Sequence, residues 1–133
     1  MNDIMTPDAR ERGYAIQKQL WGDKVIERRP PGAVAEMLHI ADEALFGTVW
    51  ARPGLDIKTR SLCCITTMTA LGKPEELVMH LHAAHRIGVE RRAITEAIIQ
   101  AGFYAGFPCG VNALKVCDEG WAKIDARAKE KKA

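Results

Sequence analysis

No stretch of the chain approaches the roughly 20 consecutive apolar residues that a membrane-spanning helix needs, although 47% of its 133 residues are hydrophobic. Met1 to Arg12 carry Asp3 and Asp8 and no apolar run, so the charged, apolar and small-residue sections of a secretion signal are missing. No membrane partner is expected, and the expected location is the cytoplasm. A basic stripe interleaved with aromatic residues is missing as well. With a formal net charge of +2 and 6% aromatic residues, nucleic acid is not an expected partner. Lys129, Lys131 and Lys132 around Glu130 read as a solvated helix end, where cations suit the partial negative charge of the last carbonyls.

The four cysteines never stand at Cys-x-x-Cys spacing, which excludes a local resolving dithiol. Cys63 and Cys64 are neighbours, and bridging them would demand a strained ring. In a reducing compartment all four read first as buried packing residues. Internal repeats and low-complexity segments are absent too, and a chain of this length buries one core, so residues 1–133 read as a single domain.

Alternating strand patterns are lacking, whereas every long periodic segment has the helical repeat, so the fold class is all-α with about six helices. Thr6 before Pro7 caps a first helix running through Tyr14 and Leu20 to Gly22. After the Arg28–Gly32 loop, Met37, Ile40, Ala41, Ala44 and Leu45 recur at three- and four-residue spacing to about Val49. Asp56 is placed to cap a third helix, whose stripe Leu62, Ile65, Met68 and Leu71 ends at Gly72. Pro74 opens a fourth through Leu77, Leu81 and Ala84 to Gly88, joined to the third so tightly that the two form a central antiparallel hairpin. A fifth carries Ile94, Ala97, Ile98 and Ala101. A sixth, after Pro108, carries Leu114, Cys117, Trp121 and Ile124, and Gly102, Ala105 and Gly106 permit close approach between these two. Helices two and five are apolar over more than one face, which predicts a homo-oligomer.

The fourth helix holds His80, His82 and His85, with Glu76 one turn before His80. At about 100° per residue, Glu76 and His80 share a face while His82 points almost oppositely, so the three imidazoles cannot converge on one ion, and no metal is expected. The Glu76–His80 pair has two readings. It is either an ordinary i,i+4 pair, or a carboxylate that raises the proton affinity of an imidazole acting as general acid or base. Spacing alone favours the first.

The run Trp50-Ala51-Arg52-Pro53-Gly54-Leu55-Asp56, followed by Lys58 and Arg60-Ser61-Leu62, resembles the entry to the central helices of the carboxymuconolactone decarboxylase family. Ala70-Leu71-Gly72, Glu76-Leu77, His80 with Ala83-Ala84 and Gly88, then Tyr104, Gly106, Pro108 and Asn112-Ala113 continue the likeness in order and spacing over most of the chain. The resemblance implies an alkylhydroperoxidase-like helical fold assembled as a trimer or hexamer. It also implies a carbon-carbon lyase that needs neither metal nor organic cofactor. The expected substrate is a small anion, a lactone bearing two carboxylates such as 4-carboxymuconolactone, which loses CO2 to give an enol-lactone in aromatic catabolism. Carried onto this chain, the likeness makes His80 and Glu76 the proton-handling pair and Arg52, Arg60, His82, Tyr104 and Cys109 candidate substrate contacts, Arg52 being the preferred anion contact. The sequence departs from the usual pattern at His82, where an arginine is common, and at Cys109, where a small residue is common. The peroxidase branch of the superfamily places its two cysteines where this chain has Lys73 and Glu76. A thiol-dependent antioxidant role would therefore rest on an isolated Cys109, and a non-catalytic oligomer is the third alternative.

Overall fold

The computed structural model describes residues 7–132; Thr6, the expected cap of the first helix, lies outside them. The described residues form six α-helices and no strand: α1 (Pro7–Trp21), α2 (Ala33–Ala41), α3 (Ile57–Leu71), α4 (Pro74–Arg86), α5 (Arg91–Ala105) and α6 (Phe107–Lys132). A π-helix, Asp42–Val49, continues α2 directly. The chain makes two compact units that divide between Arg60 and Ser61, within the first turn of α3.

In the first unit, α1 packs along the π-helix. Glycine is required at this crossing: a Cβ on Gly13 would stand 1.8 Å from the Asp42 carbonyl oxygen, and one on Gly47 1.9 Å from that of Ala9. Leu20, Phe46 and Trp50 are buried, with Trp21 edge-on to Phe46 and Phe46 stacked on Trp50. Beside them lies a buried ionic cluster. Asp42 accepts from Gln17 Nε2 at 2.8 Å and from both terminal nitrogens of Arg29, and Glu43 pairs with Arg10 at 2.6 Å. Burial pushes the Asp42 carboxyl up, but the bonds from Arg29 and Gln17 and the guanidinium charge outweigh it and hold it below the usual carboxylate range. The inward positions of this segment are Asp42, Glu43, Phe46 and Gly47, so Met37, Ile40 and Leu45 of the apolar repeat expected of helix two face outward. Met37 is 77% exposed, Ile40 is 56% exposed, and α2 has no buried residue.

The second unit has an aliphatic core in which Ile65, Leu77, Leu81, Ala84, Ile94, Ile98 and Cys117 meet. Helices α4 and α5 both pack along α6. The small residues expected at the α5–α6 approach are used at Gly102, whose added Cβ would lie 2.9 Å from the Gly110 Cα. Gly106, at φ 141°, makes the turn between the two helices. Helix α3 starts as expected, with Asp56 Oδ1 accepting the Thr59 N–H at 2.7 Å. Its buried line differs from the expected one, however. Ser61, Ile65 and Thr69, spaced by four, point inward, while Leu71 is exposed. Thr69 is tolerated there because its hydroxyl donates to the Ile65 carbonyl at 2.8 Å. A link of only Gly72 and Lys73 then joins α3 to α4.

Candidate active site

Helix α4 buries Leu77, Leu81, Ala83 and Ala84, and that face fixes what its histidines can do. His80, one turn beyond Leu77, is half-buried. Removal from water lowers its pKa from the ordinary imidazole value. The direction is opposite to the rise expected from a carboxylate one turn away: desolvation governs, and Glu76 itself is exposed.

His82 is also half-buried and its pKa is lowered, first by burial and then by the positive charges of Arg127, His85 and Lys123. Burial and three neighbouring basic groups disfavour a further positive charge at His82. Tyr104 stands 86% exposed near the C-terminal end of α5. Arg52 and Arg60 belong to the first unit, where the Arg60 guanidinium donates to the Arg52 carbonyl at 2.9 Å. Arg60 is thus tied to its own chain entry, and the Arg52 side chain is exposed.

Cys109 is half-buried, with its sulfur 4.0 Å from the Ala70 carbonyl oxygen. Of the seven residues singled out from sequence, it alone lines a cavity of the second unit with a volume of about 300 Å³. The walls are the end of α3, the start of α4 and one stripe of α6. Met68, Leu77, Ala113 and Val116 make an apolar surface, and Thr69, Lys73, Cys109 and Asn112 bring polar groups to it. The cavity does not reach His80, which continues the α4 wall one turn past Leu77, about 4.5 Å further along the helix axis. Of the other thiols, Cys64 and Cys117 fit a packing role, burial pushing Cys64 up and burial with the charge of Asp118 pushing Cys117 up to about 11, whereas Cys63 is exposed, which corrects the expectation of four buried thiols. Among the described residues no three His, Cys, Asp or Glu side chains converge as a metal site would require.

Lys73 and Asn112 were not singled out as site residues from sequence. The available signal was local. Lys73 occupies the N-cap of α4, a position that favours Ser, Thr, Asp or Asn and whose helix-dipole field disfavours a cation. A residue that breaks a local rule in this way invites a reason beyond folding.

Similarity to known proteins bears on this arrangement. The model of the carboxymuconolactone decarboxylase family matches residues 35–119. The chain is 31% identical to a 4-carboxymuconolactone decarboxylase of Acinetobacter baylyi over 82% of its own length and 84% of the relative's. It is 30% identical to the nitrosuccinic acid decarboxylase of Metarhizium robertsii over 86% of its own length and 82% of the relative's. An uncharacterised 15.0 kDa protein of Paracoccus denitrificans is 34% identical over 77% of this chain and 75% of its own.

Proposed function

We propose, for a chain that belongs to the carboxymuconolactone decarboxylase family and is by its relatives a decarboxylase, that its substrate is a small dicarboxylate whose leaving carboxylate sits next to an electron sink. The substrates in the two relatives' names share that chemistry. Carboxymuconolactone is a lactone whose alkene conjugates the leaving carbon with the ring carbonyl, and nitrosuccinic acid carries a nitro group on the carbon that bears a carboxylate. In either case the C–C bond to CO2 breaks, its electron pair is delocalised onto oxygen, and a proton is added back to carbon. We take the carboxymuconolactone reaction in aromatic catabolism as the first candidate, without metal or organic cofactor, in a cytoplasmic homo-oligomer.

His80 is the proton donor in this reading, with Glu76 one turn away to relay protons from solvent. The observation that supports it is the half-buried imidazole one helical turn past Leu77, which lines the cavity, with its pKa lowered by desolvation. A dianion arriving beside it raises that pKa again, so the imidazole takes a proton as substrate binds and becomes the acid that returns it to carbon. Arg52 as an anion contact rests on the family resemblance, and Arg52→Ala tests it through a raised KM with little change in kcat.

The deciding experiment follows loss of substrate absorbance with enzymatically generated carboxymuconolactone, for the wild type and His80→Ala. Turnover that drops about a hundredfold or more in the variant supports both the lyase and the role of His80. No turnover of carboxymuconolactone or nitrosuccinate by the wild type refutes the proposed substrate class.

A further inference from the structure

Within the 300 Å³ cavity of the second unit, the charge balance is one-sided. Lys73 is the one ionised side chain among its lining residues, with no carboxylate beside it in the wall. Among the described residues, Lys73 makes no ion pair. Its backbone is fixed on both sides: the N–H donates to the Met68 carbonyl at 3.0 Å, and the carbonyl accepts from Leu77 at 2.9 Å. The Lys73 backbone is therefore held fixed among the residues that line the cavity, and its ammonium stands on an exposed, flexible stem. It also sits at the positive end of α4, so the helix field and the side chain carry the same sign. That combination works against local stability and favours an anion.

The other polar groups sort by what they have left to offer. The Thr69 hydroxyl already donates to Ile65. Asn112, one turn along α6 from Cys109, lines the cavity with a carboxamide that has two N–H donors. Met68, Leu77 and Val116 supply an apolar wall for a carbon frame. At about 300 Å³ the space lies at the small end of the ~300–1,000 Å³ usual for ligand pockets. This suits a ligand the size of a five-membered ring with two short acidic arms.

We propose that this cavity is a carboxylate-binding pocket in which Lys73 and Asn112 hold one carboxylate of a small dicarboxylic acid against the apolar wall. This deepens the decarboxylase reading and, for the substrate assignment, rests on it. Lys73, Leu77 and His80 fall at i, i+4 and i+7 of one helix face, and the rise from the first to the last is about 10 Å. A carboxylate held at Lys73 directs the far end of a dicarboxylate along α4 towards His80. Lys73 and Asn112 are then the residues that select a second acidic group, whereas His80 serves the carbon that loses CO2.

Adipate, a six-carbon dicarboxylate with no electron sink, is the binding probe, titrated calorimetrically into the full-length protein. Wild type and Lys73→Arg are expected to bind it within about threefold of each other. Lys73→Met should bind about tenfold or more weakly, as loss of a charge-assisted hydrogen bond implies. Asn112→Leu should weaken binding as well, and Val116→Trp, which fills the cavity, should abolish it, with thermal melts checking that each variant folds. Adipate affinity unchanged in Lys73→Met and in Val116→Trp overturns the pocket. Turnover separates the two proposals. If His80→Ala abolishes decarboxylation while Lys73→Met leaves KM unaltered, the pocket assignment fails and the lyase stands. If adipate binding depends on Lys73 but the wild type decarboxylates neither candidate, the pocket stands and the substrate assignment fails.

Discussion

His80 and His82 lie two residues apart on α4 and are both held below the ordinary imidazole pKa, yet for different reasons. Burial is the cause at His80; at His82 burial is reinforced by Arg127, His85 and Lys123. An anion arriving beside His80 favours the charged imidazole and so counters the desolvation, whereas at His82 the surrounding basic groups persist. The sign of the pH dependence follows. If the imidazolium of His80 is the acid, activity is lost as pH rises through its pKa. The kcat/KM profile reads the free enzyme and should fall from below pH 6.5, while kcat reads the bound complex and should fall at a higher pH. Steady-state kinetics from pH 5 to 9 check this, and coincident limbs would mean that the substrate's charge does not reach the imidazole.

The π-helix is the element whose stability depends most openly on charge. It is an uncommon form, and such turns are frequent at functional sites; here it brings Asp42 and Glu43 inward against α1 and the Arg29 side chain. Asp42→Asn leaves the Arg29 guanidinium with a neutral partner in a buried setting and is expected to cost about 3 kcal/mol at pH 7, by the loss seen when one member of a buried pair is removed. Since the folded-state pKa of Asp42 is lowered, the carboxylate's contribution is fully present above the unfolded value of about 3.9 and is lost as pH falls through the folded one. Urea unfolding should therefore separate wild type from Asp42→Asn clearly at pH 7 and progressively less below pH 4. A gap that persists undiminished at pH 2 would assign the effect to packing. The helical repeat to about Val49 was legible from the spacing of Met37, Ile40, Ala44 and Leu45. The change to π geometry and the outward turn of Met37 were not, because Gln17 and Arg29, which bond Asp42, and Arg10, which pairs with Glu43, lie 13 to 33 residues away in sequence.

For the whole molecule, exposed apolar surface is the feature that a single chain leaves unexplained. Met37 on α2 and Phe103 and Phe107 at the α5–α6 turn are each at least 66% exposed, and scattered exposure of such size is uncommon unless another surface covers it. Light scattering of the wild type is expected to give the mass of a trimer or hexamer, and Phe103→Asp with Phe107→Asp should lower it. A wild-type monomer in dilute solution would overturn the assembly. Among the described residues no helix is long and apolar enough to cross a membrane.

The sequence by itself determined the helical class, the six segments and most of their ends, because those depend on nearest neighbours: Asp56 on Thr59, Pro74 at a first turn, glycine where a turn needs positive φ. It also carried the family, since the likeness is spread over order and spacing along most of the chain, and family membership requires no coordinates. Only the tertiary structure decided which candidates share a space. Cys109 came to the cavity with Lys73 and Asn112, while Tyr104 stayed on the surface and His80 stood one turn beyond the wall. It also decided the direction of the imidazole pKa values. Both outcomes depend on residues distant in sequence excluding water from a point, and burial of that kind is a property of packing that no local pattern encodes.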